Sequence, residues 1–207
     1  LVHQGGHFRG PLSVVTTDQS VTSDLGSALY QGTQDFSHLD TAHPTGHIVF
    51  RYHDAQRNVD IEKELTFHHG SYVVDIAIRT QGLTTPVDVT LGTNFGIVEW
   101  GEGFIGLMGS ASQVDGKVLK ETPEGEAERK GDVKWSAIQD KYFLSVLMPQ
   151  KAEAALAKKE GDKLVSAGVR FPAPAGGSTM TMQLYAGPKE YDILKGLNYG
   201  LEDTIDF

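Results

Sequence analysis

The chain contains no cysteine. That excludes a disulfide framework, thiolate catalysis and any cysteine-ligated metal, and it leaves the redox compartment open, because exported domains of this size can fold without disulfides. Long apolar runs are missing as well. No stretch approaches the roughly 18 residues that a membrane-spanning helix needs, and Leu1 opens without the basic and apolar regions of a signal peptide, so the sequence reads as soluble as given. Positive charge is scarce: 18 basic against 27 acidic residues give a net charge of -9. Such a balance opposes adsorption to phosphate backbones or anionic headgroups, and nucleic acid is not expected as a partner. A Gly-x-Ser-x-Gly elbow, a His-Glu-x-x-His pair and a phosphate-binding loop are all absent from the sequence.

What is present is strand. With 207 residues, 39% hydrophobic, and 24 glycines to supply turns, the chain can bury a large core. Ile61, Leu65 and Phe67 alternate with Glu62, Glu64 and Thr66, with Lys63 breaking the pattern, and Val74, Ile76 and Ile78 alternate after a turn at His69-Gly70-Ser71. Val87, Val89 and Leu91 follow, Ile48 to Tyr52 precedes, and the four segments read as an antiparallel meander. No strand-helix unit repeats, which disfavours a doubly wound sheet or a solenoid. The expected architecture is all-β, two packed antiparallel sheets in a single domain over residues 1–207.

Three constellations resemble chemistry. Gly101-Glu102-Gly103-Phe104-Ile105-Gly106 matches the dinucleotide fingerprint in letters, but Gly109, Ser110 and Ser112 follow where that motif requires a helix, so it reads as a turn between strands. Eight histidines lie within the first 69 residues, at 3, 7, 38, 43, 47, 53, 68 and 69. None of their spacings is a ligand pair on a defined element, and no metal or other cofactor is expected. Glu99 and Glu102 flank Trp100, an acid-base pair beside an aromatic platform of the kind carbohydrate enzymes use. Together with His53 or His68 they define the alternative function, a mutarotase-like or carbohydrate-binding β-sandwich. Lys120 to Lys134 holds nine charged residues with Pro123, Gly125 and Gly131, and reads as a solvated loop.

The C-terminal stretch is the most distinctive. Met180, Met182 and Leu184 alternate as in a half-buried strand; Tyr185-Ala186-Gly187-Pro188-Lys189-Glu190-Tyr191 then reads as a stop followed by a helix, with Pro188 in its first turn. Tyr191 and Leu194 share a helical face expected to dock on the sheet, whereas Lys189, Glu190 and Lys195 should face solvent. Gly200-Leu201-Glu202 and Ile205-Asp206-Phe207 close the chain. This stretch resembles the end of the large periplasmic domain of YidC-type membrane protein insertases. Trp135-Ser136-Ala137, followed by Lys141-Tyr142-Phe143, resembles a strand of the same family, and Glu64 to His68 with Ser71 to Asp75 resembles its early strand pair.

The resemblance implies a β-supersandwich with short C-terminal helices, and a hairpin turning at Glu160-Gly161-Asp162 where alanine-rich Lys151 to Glu160 would by propensity be helical. It implies a fragment of a larger protein, with a transmembrane helix before it and a membrane bundle after it. It implies non-enzymatic work at the periplasmic face of the bacterial inner membrane, with membrane-protein clients and the Sec translocon as partners. The residues implied for positioning are Gly187, Pro188, Tyr191, Leu194 and Leu201.

Overall fold

A computed structural model describes residues 10–96, 109–174 and 176–206. Among these residues fourteen strands form two antiparallel sheets. Along the chain they are β1 (Ser13–Val15), β2 (Gln31–Gln34), β3 (Thr45–Asp54), β4 (Val59–His68), β5 (Val73–Gln81), β6 (Val87–Thr93), β7 (Gly109–Val114), β8 (Lys117–Leu119), β9 (Glu126–Lys130), β10 (Val133–Gln139), β11 (Phe143–Pro149), β12 (Ala154–Gly161), β13 (Leu164–Phe171) and β14 (Gly177–Pro188). The larger sheet runs β2-β3-β4-β5-β14-β11-β10-β7-β8, and the smaller β1-β6-β13-β12-β9.

Alternation set the strands, and burial set their sheets. β3, β4 and β5 form the expected meander, but β6 leaves it for the other sheet and pairs with β1 and β13. The chain departs at Gly82, whose φ of 84° and approach to the Asn58 carbonyl leave no room for a Cβ. Val87, Val89 and Leu91 then point into the space between the sheets with no exposed surface. Ile61, Ile76, Ile78, Leu147, Met180, Met182 and Leu184 face them from the larger sheet, so the main core lies between the layers.

Two segments differ from the sequence reading. Lys120 to Lys134 is not a loop throughout: Glu126–Lys130 is β9, an edge strand paired with β12. Its pattern carries no apolar alternation because an edge strand exposed on its outer side tolerates charge at nearly every position. A helix, α1 (Gln19–Ser27), stands near the N-terminus with Asp18 as its N-cap, accepting from the amides of Ser20 and Val21 and burying Leu25. Lys151 to Glu160 behaves as the resemblance implied. β12 and β13 form a hairpin closing between Gly161 and Leu164, because Ala154 and Ala155 are buried in a sheet and packing overrides alanine's helix propensity.

Candidate functional site

The second core is smaller and lies on the other face of the larger sheet. Trp135, Ala137, Leu144, Val146, Met148 and Tyr185 project from β10, β11 and β14 away from the sandwich, and the C-terminal segment covers them. That segment consists of α2 (Tyr191–Gly196) and a 3₁₀ turn, Leu201–Thr204. Leu194 and Leu201 are fully buried against the sheet, with Ile193, Leu197, Tyr199 and Ile205 packed around them. The Trp135 indole N–H donates to the Tyr199 carbonyl at 3.1 Å. The central strands are thus buried on both faces, which is why Leu144 to Met148 is a nearly unbroken apolar run.

Each predicted positioning residue has a definite place. Leu201, implied only as a positioning residue, is fully buried, and Leu194 docks as expected. Tyr191 does not: it is 41% exposed, with the Lys195 amine 5.2 Å from its ring centre. The helix is only six residues long, and its buried face is set by Leu194 and Ile193 rather than by its first residue. Pro188 is the last residue of β14, not part of a helical turn, and Glu190 is the N-cap. The Pro188 carbonyl accepts from the Tyr185 hydroxyl at 2.6 Å, and burial pushes that phenol up to about 12. At Gly187 a Cβ would come within 2.9 Å of the Tyr72 ring, so glycine is what lets Tyr72 lie across the strand end. Lys189 is not solvent-facing either. It is half-buried, donates to the Asp140 carbonyl at 3.1 Å, and burial lowers the pKa of its amine.

Among the described residues, His47, His53 and His68 lie on β3 and β4, in the other half of the larger sheet. His53 pairs with Asp60 and His68 with Asp75, each at 2.6 Å, and His47 pairs with Asp35 at 2.8 Å. Each imidazole meets one carboxylate, and among the described residues no group of three or more His, Asp or Glu could hold a metal ion. Gln183, donating at 2.8 Å, and then His68 hold the Asp75 carboxyl below the usual range. A cleft of about 810 Å³ opens beside His53, lined by Arg51, Glu62 and Arg79, with Glu62 bridging both guanidiniums at 3.0 and 3.2 Å. Glu64 lies 3.4 Å from Arg79, so two carboxylates meet the two guanidiniums. Glu99, Trp100, Glu102, the Gly101 to Gly106 fingerprint, His3 and His7 lie outside the described residues.

Sequence reasoning missed Lys63. It lies on β4 beside Ile61 and Leu65, its amine 4.8 Å from the centre of the Tyr30 ring, and burial pushes it down to about 8. The signal was visible as the break in the alternation of β4.

Fold and site together define a two-sheet antiparallel β-sandwich in which the C-terminal segment clasps the outer face of one sheet. Residues 2–207 match the model of the YidC periplasmic domain. The chain belongs to that family. The match includes the first sixty residues, which carry none of the motifs that suggested it. Two relatives, each named membrane protein insertase YidC, are 31% identical to it. The one from Syntrophus aciditrophicus aligns with 72% of this chain and 30% of its own length, and the one from Chlorobaculum tepidum with 74% and 29%. The chain therefore spans less than a third of these relatives. Among solved structures, HI1317 superposes with a TM-score of 0.51 at 9% identity, covering 82% of this chain and 69% of that one. The galactosidase domain of the alpha-galactosidase-sucrose kinase AgaSK gives 0.50 at 9%, covering 81% and 28%. At such identities the likeness is one of fold alone.

Proposed function

We propose that this chain is the periplasmic module of a membrane protein insertase, and that it binds and positions rather than catalyses. The full-length protein assists the insertion, folding and assembly of inner-membrane proteins, alone or with the Sec translocon, at the periplasmic face of the membrane. Residues 1–207 work as one unit in which the segment from Gly187 to Phe207 leads toward the membrane part, with Leu194 and Leu201 held in the second core. The observation that carries this reading is the family match over residues 2–207, supported by relatives named as insertases.

The geometry agrees with a non-catalytic role. The His-Asp pairs are exposed, the guanidiniums of Arg51 and Arg79 are matched by the carboxylates of Glu62 and Glu64, and neither set presents an unpaired acid or base to a substrate. The test supplies the full-length protein to cells depleted of their own insertase and follows a client by protease protection. Restored insertion is expected. Failure to restore it, together with aldose mutarotation by the chain that disappears in Glu99→Gln, would replace this reading with a carbohydrate enzyme.

A further inference from the structure

Large exposed apolar side chains are few among the described residues, and three of the six are aromatics at one end of the larger sheet. Tyr72 is 49% exposed, Tyr142 61% and Phe143 60%. Tyr72 stands at the β4–β5 turn, and Tyr142 and Phe143 at the β10–β11 turn. Register brings them together: Phe143 lies opposite Pro188, and the Ala186 amide donates to the Tyr72 carbonyl. They line one largely apolar hollow of about 780 Å³ with Gly187 and Pro188. Isolated exposed aromatics need no explanation; three clustered at the tip of a sandwich do.

We infer that this aromatic tip is where the module rests on the bilayer, seated in the interfacial zone of the lipid. The inference rests on the insertase reading and adds the surface and its ligand. Tyrosines that expose rings at a strand end match the composition that sits at headgroup level, and Phe143 adds apolar area beside them. Lys141, 5.3 Å from the Tyr142 ring centre, and Lys189 flank the site, while Asp140 and Glu190 cancel their charge locally. Contact is therefore driven by the rings and not by attraction to anionic lipid, which a net charge of -9 would oppose.

An extended peptide fits this place less well. The tip belongs to β5, β14, β11 and β10, interior strands of the sheet, and its backbone groups are already used: Lys189 N–H to Tyr142 at 2.8 Å and Asp140 N–H to Phe143 at 3.1 Å. Strand addition needs a free edge. The last described residues also return to this end, where Asp206 pairs with Lys120 at 2.9 Å and its carboxyl is held low by Lys120 and then Lys189.

The lack of cysteine allows a direct test. Single variants Lys141→Cys and Leu29→Cys carry an environment-sensitive fluorophore, and the 207-residue chain is held by a C-terminal hexahistidine tag on phosphatidylcholine vesicles containing a little nickel-chelating lipid, at high salt. The label at 141 should shift to the blue and become several-fold less accessible to an aqueous quencher, while the label at 29 should not. Tyr72→Ser with Tyr142→Ser should abolish the response at 141 in protein that circular dichroism shows to be folded. Equal quenching at 141 and 29 on vesicles overturns the inference, and this comparison does not depend on the serine variant folding. A response at 141 to unfolded, carboxymethylated protein without lipid, and none to vesicles, would assign the tip to polypeptide instead. Either failure leaves the insertase reading standing if the full-length protein still restores insertion.

Discussion

Trp135 and Tyr199 are joined by a single hydrogen bond, indole N–H to carbonyl at 3.1 Å, across 64 residues of chain. The indole is fully buried beneath Leu194 and Leu201, so this bond holds the C-terminal segment where its leucines complete the second core. The segment is a structural part of the sheet rather than a tail.

Graded effects on stability follow. Leu194→Ala should cost about 2–5 kcal/mol through lost burial and the cavity left behind. Trp135→Phe should cost about 1–3 kcal/mol, since the Tyr199 carbonyl loses its donor in a dry environment. Tyr191→Ala, at an exposed position, should stay within about 0.5 kcal/mol of the parent. Urea denaturation of the three variants checks the order.

Gly187→Ala places a methyl against the Tyr72 ring and the Tyr185 hydroxyl, at 2.9 and 3.0 Å, and should destabilise by about 1–3 kcal/mol. Tyr72→Ala should relieve part of that loss, so thermal melts of the two single variants and the double variant should be non-additive. An additive result would mean that Gly187 is needed for its backbone alone.

Much of this was readable in advance. The alternations of β4, β5 and β14 gave strands, and Leu194 was identified as a docking residue from its segment, whereas Leu201 was named only as a positioning residue through the family resemblance. The run from Leu144 to Met148, apolar except for Ser145, was also a signal, because a strand apolar on both faces requires a cover on each. Tyr191 and Pro188 were misplaced for local reasons. A proline before a helical pattern fits a strand end as well as a first turn, and a six-residue helix has too few positions to define its buried face. The helix at Gln19–Ser27 was signalled by Asp18 as N-cap with Val21 and Leu25 four apart, a short pattern easily hidden among strands. The aromatic tip brings together turns 70 residues apart, and such convergence is not a property of local sequence.

Asp75 links acid stability to the sheet. Its folded carboxyl is held below the ordinary value by Gln183 and His68, so its contribution is present above the unfolded pKa and is lost as pH falls through the depressed folded value. Asp75→Asn should therefore flatten the acid limb of a melting temperature against pH profile while leaving its alkaline limb unchanged.

Lys63 contributes a penalty rather than a gain. Its folded pKa, about 8, lies below the unfolded value near 10.4, so a penalty is fully present below the folded value and is relieved as pH rises between the two. Lys63→Met should stabilise the chain at neutral pH by on the order of 1–2 kcal/mol and should remove the gain on going from pH 7 to 10. Paired melts of parent and variant across that range give the difference directly.

We propose that the module works through its clasped C-terminal segment. The most direct measurement is client insertion, by protease protection, in cells depleted of their own insertase and supplied with the full-length protein carrying Leu194→Ala with Leu201→Ala, or Tyr191→Ala alone. At equal protein levels in the membrane, the double leucine variant should insert poorly and the Tyr191 variant should match the parent. Full insertion by the double leucine variant, with the second core shown to be destabilised, would contradict the account.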